Sequence, residues 1–259
     1  MKFKKIYCIF EFLINLNMNL IIDAGNTRVK VAVFEKGTSI EVALIDKKLF
    51  LSEIKKILKK YKITAGILSS VRFISEEKVQ KLQKLVNLTV LSSSTEVPFI
   101  NLYETPKTLG VDRIALVVAA VKNYHNKNIL IIDAGTCITF DFVNDQSEYL
   151  GGAISPGIEM RYKALHHFTN KLPILEKKSP ENFIGNNTNN SINSGVVNGV
   201  IQELVGVIQQ YKRKYSNLTV VLTGGDTNFL AKQLKSSIFA NPNFLLEGLN
   251  EILIFNENK

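Results

Sequence analysis

Apolar residues along this chain follow two spacings, one typical of buried strands and one typical of amphipathic helices. Residues 20–23, 67–71 and 218–222 form short runs rich in aliphatic side chains and bounded by turn-forming residues, which predicts buried strands. Other segments carry apolar residues three and four positions apart, which predicts helices. Four such helices are expected, the first capped by Ser52 and the others over 76–86, 191–211 and 244–254. Strands that alternate with helices indicate an α/β fold.

The hexapeptide Leu-Ile-Ile-Asp-Ala-Gly occurs at residues 20–25 and again at residues 130–135. Each copy precedes a segment with period-2 alternation, so each predicts a buried strand, a tight turn and a second strand. The separation of 110 residues is about the length of one domain, and we therefore infer a duplicated α/β domain. Residues 114–121 are apolar on nearly all sides, which predicts a helix buried between the halves. A ligand is expected in the cleft between them.

The two repeated turns carry residues suited to phosphate binding. Glycine allows backbone N–H groups to approach an anion closely, and the threonine that follows each turn adds a hydroxyl donor. Asp23 and Asp133 supply hard oxygens for a hydrated Mg²⁺ or another cation on the phosphates, and Lys30 is placed to reach the same anion. One such turn alone is typical of an ordinary hairpin. Two in register, with a third glycine turn at residues 224–225, predict a nucleotide phosphate held between the domains.

Composition narrows the class of protein. Hydrophobic residues make up 46% of the chain and charged residues 21%, which is typical of a globular protein. The net charge is +9, but only five of the 32 basic residues are arginine and the lysines are scattered, which argues against nucleic-acid binding. No apolar run approaches the length of a membrane span, so no membrane association is expected. Two cysteines cannot form a disulfide framework, which favours the reducing cytoplasm.

Residues 1–17 combine a basic start with a short apolar stretch interrupted by Glu11. Three interpretations remain open: a non-native or frayed extension that precedes a true start at Met18, a genuine N-terminal element, or a targeting signal. The first is favoured because Met18 lies two residues before the predicted strand at residue 20, and no small-residue cleavage site supports a targeting signal. The predicted domains are then 18–115 and 116–259.

The order of the motifs resembles a known family. The segments Asp23-x-Gly-Asn-Thr-x-x-Lys30 and Asp133-Ala-Gly-Thr136 resemble the two phosphate motifs of the actin, Hsp70 and sugar-kinase superfamily. Four further segments are similar to the signatures of type III pantothenate kinases. They are Tyr103-x-x-Pro-x-x-x-Gly110-x-Asp112-Arg113, Gly151-Gly152-x-Ile-x-Pro-Gly157, Gly185-x-x-Thr188 leading to Ser194-Gly195, and Thr223-Gly224-Gly225-Asp226. The resemblance runs from Met18 to near the C-terminus, and it departs at Cys137, where the family more often has alanine.

The resemblance implies two ribonuclease-H-like domains and the ATP-dependent phosphorylation of pantothenate, the first step of coenzyme A biosynthesis. It implies a homodimer, Mg²⁺, and a monovalent cation, K⁺ or NH₄⁺, held by Asp133. Asp112 would accept the proton of the pantothenate hydroxyl. The residues implied for ATP binding are Asp23, Ala24, Gly25, Asn26, Thr27, Arg28, Val29, Lys30 and Thr136. Those implied for pantothenate binding are Tyr103, Gly110, Val111, Asp112, Arg113 and Thr188.

Alternatives to this hypothesis come from the residues themselves. Asp112 could cap a helix that begins near Ile114, which would leave Arg113 exposed. A ribonuclease-H-like nuclease would need three or four carboxylates around two metals, whereas these turns carry Asn, Thr and Gly. A regulatory protein built on a kinase scaffold is harder to separate, because a fold does not determine a function. Retention of Asp112 and of both phosphate turns favours the kinase.

Overall fold

The computed structural model describes residues 18–25, 28–70, 74–234 and 237–258, and it divides into two compact units. One unit holds the described residues as far as Pro98, together with Thr105–Ala119 and the chain from Leu245 onward. The other unit holds Phe99–Glu104 and Ala120–Phe244. The predicted extension at residues 1–17 lies outside the described residues. The domain boundary at residues 115 and 116 stays a prediction.

The first unit is built on a five-stranded sheet with the strand order β3-β2-β1-β4-β5. Its strands are β1 Met18–Ala24, β2 Val29–Glu35, β3 Thr38–Ile45, β4 Ile63–Ser70 and β5 Asn87–Val90. Strand β1 pairs antiparallel with β2 and parallel with β4. The helices that contribute to this unit are α1 Phe50–Lys60, α2 Glu76–Gln83, α3 Val111–Asn123 and α7 Phe244–Glu257, with a 3₁₀ turn at Pro106–Thr108.

Alternate residues of β1 face opposite sides of this sheet. Leu20, Ile22 and Ala24 belong to a buried cluster with residues of α1 and α2. Asn19 faces the other way, and its side-chain amide donates a hydrogen bond to Asn250 of α7 at 2.9 Å. In α7, a Cβ placed on Gly248 would lie 1.9 Å from the Ala115 carbonyl oxygen, so α7 packs directly against the backbone of α3. The sheet therefore has helices on both faces.

The second unit is built on a six-stranded sheet with the order β11-β10-β7-β8-β9-β6. Its strands are β6 Ile100–Asn101, β7 Ile129–Ala134, β8 Cys137–Val143, β9 Glu148–Pro156, β10 Thr219–Thr223 and β11 Phe239–Ala240. Its helices are α4 Ile158–His167, α5 Thr188–Lys214 and α6 Thr227–Ala231. One face of the sheet shares a buried core with all three helices.

The two sheets share one topology. Strands β7, β8, β9, β10 and β11 stand in the same order as β1 to β5, with the same antiparallel and parallel pairings around β1 and β7. The prediction of duplicated ribonuclease-H-like α/β domains is thereby confirmed. The helix predicted over residues 114–121 is also confirmed as buried, because residues 114–120 are each at most 3% exposed. It starts earlier than predicted, at Val111, which places Asp112 and Arg113 in its first turn.

Several helix ends differ from the predictions. Helix α1 begins at Phe50, so Ser52 lies within it and donates its hydroxyl to the Leu49 carbonyl at 2.7 Å instead of capping the helix. Helix α2 ends at Gln83, three residues before the predicted end. Helix α5 begins at Thr188 because the Asn187 side chain accepts a hydrogen bond from the Asn190 N–H at 2.9 Å.

Candidate active site

The first phosphate turn follows β1, and Asp23 lies just before its end. In β1 the side chains of Ile22 and Ala24 face the core, so Asp23 faces the opposite side of the sheet. Its register partners are Lys30 on β2 and Ser69 on β4. The pleat therefore brings a carboxylate, an ammonium group and a hydroxyl to one edge of the sheet.

The electrostatics of Asp23 distinguish this edge. The pKa of Asp23 is raised to about 7, chiefly by burial and also by the negative charge of Asp112, while the positive charge of Lys30 opposes both effects. Three elements of the first unit, β1, β2 and the first turn of α3, thus bring their charged groups within interaction range. A buried carboxylate beside a second carboxylate favours a cation, so this site suits a positively charged ligand or metal.

Asp112 and Arg113 occupy the first turn of α3. Asp112 Oδ1 accepts a hydrogen bond from the backbone N–H of the next residue, Arg113, at 2.8 Å. The same oxygen lies 2.4 Å from where a Cβ on Gly110 would be, so a side chain at Gly110 would displace the carboxylate. The capping alternative is wrong, because α3 begins at Val111, ahead of Asp112, and because Arg113 is only 6% exposed.

Ser69 is a residue of this site that the sequence analysis missed. It is fully buried, and its hydroxyl has no hydrogen-bond partner within the described part of the chain. A buried hydroxyl left in this state costs free energy, which makes it noteworthy beside Asp23. A Ser-Ser pair at the end of a strand carries no distinctive pattern, so the sequence alone offered no signal for it.

Other predicted residues of the first turn differ in what they can contribute. The side chains of Ala24 and Val29 are at most 2% exposed and belong to the core, so only their backbone could meet a ligand. Gly25 is partly buried and Arg28 is exposed. The predicted contacts of Asn26 and Thr27 lie outside the described residues.

The second phosphate turn follows β7 in the other unit, where Asp133 pairs in register with Thr139 on β8 and Thr223 on β10. The Gly135 N–H donates to the Cys137 carbonyl at 2.9 Å and closes the turn, while Thr136 is exposed. Asp133 is partly buried. The substitution of the family's usual alanine by Cys137 leaves the Thr136 side chain accessible.

Two glycine segments enclose this second turn. A Cβ on Gly157 would lie 2.2 Å from the Gly135 carbonyl oxygen, and a Cβ on Gly224 would lie 2.3 Å from Asp133 Oδ1 and 2.4 Å from the Ala134 carbonyl oxygen. Gly224 also has a φ of +93°, which disfavours other residues. Gly157 and Gly224 are therefore needed because the backbone segments lie too close together to leave room for a side chain.

The turn after β10 is tied to its surroundings by polar contacts. The Asp226 N–H donates to the Ala134 carbonyl at 2.9 Å, which links the two turns directly. The Asp226 carboxylate pairs with Lys177, whose ammonium group also lies 5.0 Å from the centre of the Phe229 ring. The sequence analysis did not find Lys177, since its partner is 49 residues away and lysines are common throughout the chain.

The residues predicted to bind pantothenate fall into separate places. Tyr103 belongs to the second unit and stacks on Tyr149, with ring centres 6.0 Å apart and an interplanar angle of 28°. Thr188 is exposed at the first residue of α5. The segment from Gly110 to Arg113 belongs to the first unit, beside Asp23.

A preformed metal cluster is not a feature of the described residues. They contain no group of three or more His, Cys, Asp or Glu side chains placed to hold a metal ion. Any metal here would be held by one or two carboxylates together with phosphate oxygens and water, which is the usual arrangement for Mg²⁺ at nucleotide sites. Within the same residues, no helix is both long and apolar enough to span a bilayer.

Comparisons with known proteins were made by sequence and by structure. A family model described as type III pantothenate kinase matches residues 19–210. The type III pantothenate kinase of Christiangramia forsetii is 50% identical over 243 residues, which cover 93% of this chain and 100% of the relative. That of Bacteroides fragilis is 45% identical with the same coverage of both chains.

Solved structures share the fold at lower identity. A structure from Campylobacter jejuni, described as a Baf family transcriptional activator, has a TM-score of 0.59 and 23% identity and covers 93% of this chain and 100% of its own. A glucokinase from an Antarctic psychrotroph has a TM-score of 0.52 and 11% identity, with 92% and 99% coverage. At such identities these likenesses show the fold alone.

Proposed function

This chain belongs to the type III pantothenate kinase family, and we propose that Asp112 is the base of its reaction, with Asp23 and Lys30 beside it at the phosphate site. The family membership makes it a kinase that phosphorylates pantothenate in coenzyme A biosynthesis, with ATP as the phosphate donor. Both rival classes, the nuclease and the regulator, are less consistent with relatives 38–50% identical that are all pantothenate kinases.

The observation that supports this assignment is the influence of Asp112 on Asp23. The two carboxylates lie close enough for the charge of Asp112 to raise the pKa of Asp23. Asp112 is therefore near the end of β1, where the phosphates are expected. In the proposed reaction, the pantothenate hydroxyl oxygen attacks the γ-phosphorus of ATP while the bond from that phosphorus to the β,γ-bridging oxygen breaks. Asp112 accepts the hydroxyl proton, and Lys30 neutralises charge on the phosphates.

The turn residues have distinct proposed roles around ATP. Asp23 would hold Mg²⁺, because its partly buried carboxylate lies near that of Asp112 and a cation would stabilise both negative charges. The ion would also neutralise the phosphates when bound. Backbone groups from Gly25 to Val29 would surround the phosphates, with Asn26 and Thr27 among them. Thr136 would contact them from the second turn through its exposed hydroxyl.

Pantothenate recognition is assigned to residues at three places in the chain. Tyr103 offers a partly buried ring, and Thr188 offers a hydroxyl and a backbone N–H at the start of α5. The segment from Gly110 to Arg113 offers backbone groups and a guanidinium that burial holds in place. A fixed guanidinium suits the carboxylate of pantothenate, because its planar donors match two carboxylate oxygens.

Asp133 is proposed to hold the monovalent cation, K⁺ or NH₄⁺. Asp133 Oδ1 and the Ala134 carbonyl oxygen lie close to each other, since both are within 2.4 Å of the point that a Cβ on Gly224 would occupy. Two neighbouring hard oxygens suit a cation of this kind, and the ion would add positive charge near the phosphates.

A homodimer is proposed for the assembly. Six large hydrophobic residues between positions 154 and 184 are exposed in the single chain, and three of them are at least 80% exposed. They are Ile154, Met160, Phe168, Ile174, Phe183 and Ile184. Exposed apolar residues in such number within one region of the chain favour burial against a second copy. A mass in light scattering equal to one chain, at concentrations where the enzyme is active, would contradict this.

A cytoplasmic location is also proposed. The described cysteine, Cys137, is free and partly buried. A free thiol in a chain without a disulfide framework suits a reducing compartment.

The assignment of Asp112 is tested with Asp112→Asn, which keeps the shape of the side chain and removes the proton acceptor. Turnover should fall by roughly 10²–10⁴-fold, the usual contribution of a positioned base. ATP binding, measured by calorimetry, should survive because the phosphate turns are unchanged. Normal turnover in this variant would remove Asp112 from the role of base.

The cation assignment is tested by activity in KCl and in NaCl at equal ionic strength. Matching the ionic strength is necessary because general screening alters the activity of so basic a protein. The wild type should be more active in KCl, and Asp133→Asn should abolish that difference and weaken ATP binding. Equal wild-type activity in both salts would exclude a specific K⁺ site at Asp133.

A further inference from the structure

A carboxylate that the reaction does not use lies at the centre of the second unit. Asp141 of β8 is fully buried, and so is Tyr149 of β9. The Tyr149 hydroxyl donates to Asp141 Oδ1 at 2.7 Å, and the Thr139 hydroxyl donates to Asp141 Oδ2 at 3.0 Å. A carboxylate without contact to water needs such donors, so the position of Asp141 and the Tyr149 hydroxyl are mutually dependent.

The ring of Tyr149 packs against one face of the Tyr103 ring. The two rings stack with centres 6.0 Å apart, and Phe99 meets the Tyr149 ring edge-on at 6.1 Å. The backbone repeats this attachment, because the Leu102 N–H donates to the Tyr149 carbonyl at 3.0 Å. Contacts with Tyr149 therefore hold both the backbone next to Tyr103 and the plane of the Tyr103 ring.

Gly151 meets another part of the Tyr103 ring. A Cβ on Gly151 would lie 3.2 Å from Tyr103 Cδ2, and the residue has a φ of +103°. The first glycine of the Gly151-Gly152 motif thus leaves room for this ring. Tyr103 is held between Tyr149 and Gly151 and remains only partly buried, which leaves part of it accessible to a ligand.

We propose that Asp141 and Tyr149 are positioning residues for pantothenate, which act by holding the Tyr103 ring in its binding orientation. The hydrogen bond to Asp141 fixes the Tyr149 ring within its own plane, and the stack passes that orientation to Tyr103. This inference rests on the proposed contact between Tyr103 and pantothenate. Neither positioning residue touches the reacting atoms.

The test begins with Tyr149→Phe, which keeps the stacked ring and removes only the hydroxyl. The KM for pantothenate should rise roughly tenfold, the effect expected from losing one hydrogen bond to a charged group. The KM for ATP and kcat should stay within about twofold of the wild type, because the phosphate turns are untouched. A purely structural role would lower the melting temperature without separating the two KM values.

Tyr162→Phe is the matched control. Tyr162 is 1% exposed, lies in the same unit and donates its hydroxyl to Asn193 Oδ1 at 2.8 Å. The variant therefore also loses one tyrosine hydroxyl and its hydrogen bond, to a neutral amide, without changing a residue that contacts Tyr103. Both KM values should stay within about twofold of the wild type, whatever the loss in melting temperature.

Two further variants approach the same ring differently. Asp141→Asn retains an oxygen that accepts from Tyr149, and Thr139 can accept from the new amide, so the pantothenate KM should stay near the wild-type value. Gly151→Ala displaces the Tyr103 ring without touching Asp141, so it should raise the pantothenate KM even if Tyr149→Phe folds poorly.

The outcomes separate this inference from the proposed function. Tyr103→Ala should raise the pantothenate KM more than any other variant, and if it does not, the proposed contact itself fails. If Tyr103→Ala has that effect while Tyr149→Phe and Gly151→Ala behave like Tyr162→Phe, the positioning role is overturned. A selective rise in pantothenate KM for Tyr149→Phe, with Asp141→Asn near normal, supports it.

Discussion

The two copies of the repeated hexapeptide place an aspartate at equivalent points of two similar sheets but surround it with different groups. Asp23 has Lys30 on its antiparallel neighbour and Ser69 on its parallel neighbour. Asp133 has threonines at both of those positions. The first carboxylate is therefore flanked by a lysine and influenced by the charge of Asp112, whereas its counterpart is flanked in register by two hydroxyl-bearing residues.

The backbone around the two turns differs as well. In the first unit Ala24 pairs with Ser70, a residue that carries a side chain, and the nearest atom to a Cβ on Gly25 would be 3.5 Å away. In the second unit Gly224 follows the residue that pairs with Asp133, and a Cβ there would overlap two oxygens. Among the described residues, the first turn thus has space for a side chain at Gly25, and the second turn is enclosed by backbone.

This difference shows that the hexapeptide determines the strand and the turn but not the chemistry of the aspartate. The neighbouring strands and helix decide that chemistry. Around Asp23 they raise the pKa of the carboxyl group and so destabilise its negative charge, which a bound cation would stabilise. This suits the site proposed for Mg²⁺ and phosphate. Around Asp133 they pack backbone closely and bring the Ala134 carbonyl oxygen near the carboxylate, which suits the site proposed for a single cation.

The largest expected effect comes from Gly224→Ala, which adds a side chain where the second turn is tightly packed. The new Cβ would meet Asp133 Oδ1 and the Ala134 carbonyl oxygen, and the φ of +93° would be strained. We expect a loss of about 3–5 kcal/mol in the free energy of unfolding, from overpacking and backbone strain together. Denaturant unfolding measures it.

Two control variants complete that experiment. Ser70→Ala changes the corresponding place beside the first turn, and Gly225→Ala adds a Cβ that meets no atom within 4 Å. Both should unfold within about 1 kcal/mol of the wild type. A loss for Gly225→Ala as large as that for Gly224→Ala would show that the enclosure does not explain the glycine.

Much of this architecture could be predicted from the sequence, because aliphatic runs and glycine turns act locally. The strands that carry Asp23 and Asp133 are confirmed, as is the long helix α5. The short strands β6 and β11 could not be predicted, since two residues carry no period. The start of α5 was placed too late because its first turn is rich in asparagine and has no apolar face.

The candidate site was less accessible to sequence reasoning wherever a role depends on a distant partner. The roles predicted for Asp112 and Asp133 came from motif order and stay predictions. Ser69 and Tyr149 gave no signal in the sequence. Ser69 matters because it pairs with Asp23, on a strand more than 40 residues earlier, and Tyr149 because its hydroxyl meets Asp141 on the neighbouring strand. Only the assembled sheets bring these groups together.

The charge around Asp23 is tested by Asp23→Asn in the absence of nucleotide and metal. The folded pKa of about 7 lies above the ordinary aspartate value of 3.8, so the folded state binds more protons between these values. Wild-type stability should therefore fall as the pH rises from about 4 to about 7. The variant lacks this loss and should be more stable than the wild type at pH 8, by up to about 4 kcal/mol.

The comparison across pH is the control for that prediction. Below pH 4 the stability advantage of Asp23→Asn should vanish, because the wild-type carboxyl is then protonated in both states. Asp112→Asn should shorten the pH range over which the wild type loses stability, since it removes one charge that raises the pKa of Asp23. An advantage of equal size at pH 4 and pH 8 would contradict the electrostatic account.

The smallest effect is expected from Ser69→Ala, and its sign is the informative part. The Ser69 hydroxyl is fully buried and has no partner among the described residues, so its removal should leave the free energy of unfolding unchanged or raise it by up to about 1 kcal/mol. Ser194→Ala is the matched control: Ser194 is also buried, but its hydroxyl donates to the Phe183 carbonyl and accepts from the Asn198 amide. That variant should lose about 1 kcal/mol.

If the Ser69 hydroxyl serves ligands at the Asp23 edge, Ser69→Ala should weaken Mg²⁺–ATP binding severalfold while remaining fully stable. A loss of stability equal to that of Ser194→Ala, with normal nucleotide binding, would make Ser69 an ordinary core residue and remove one of the differences between the two turns.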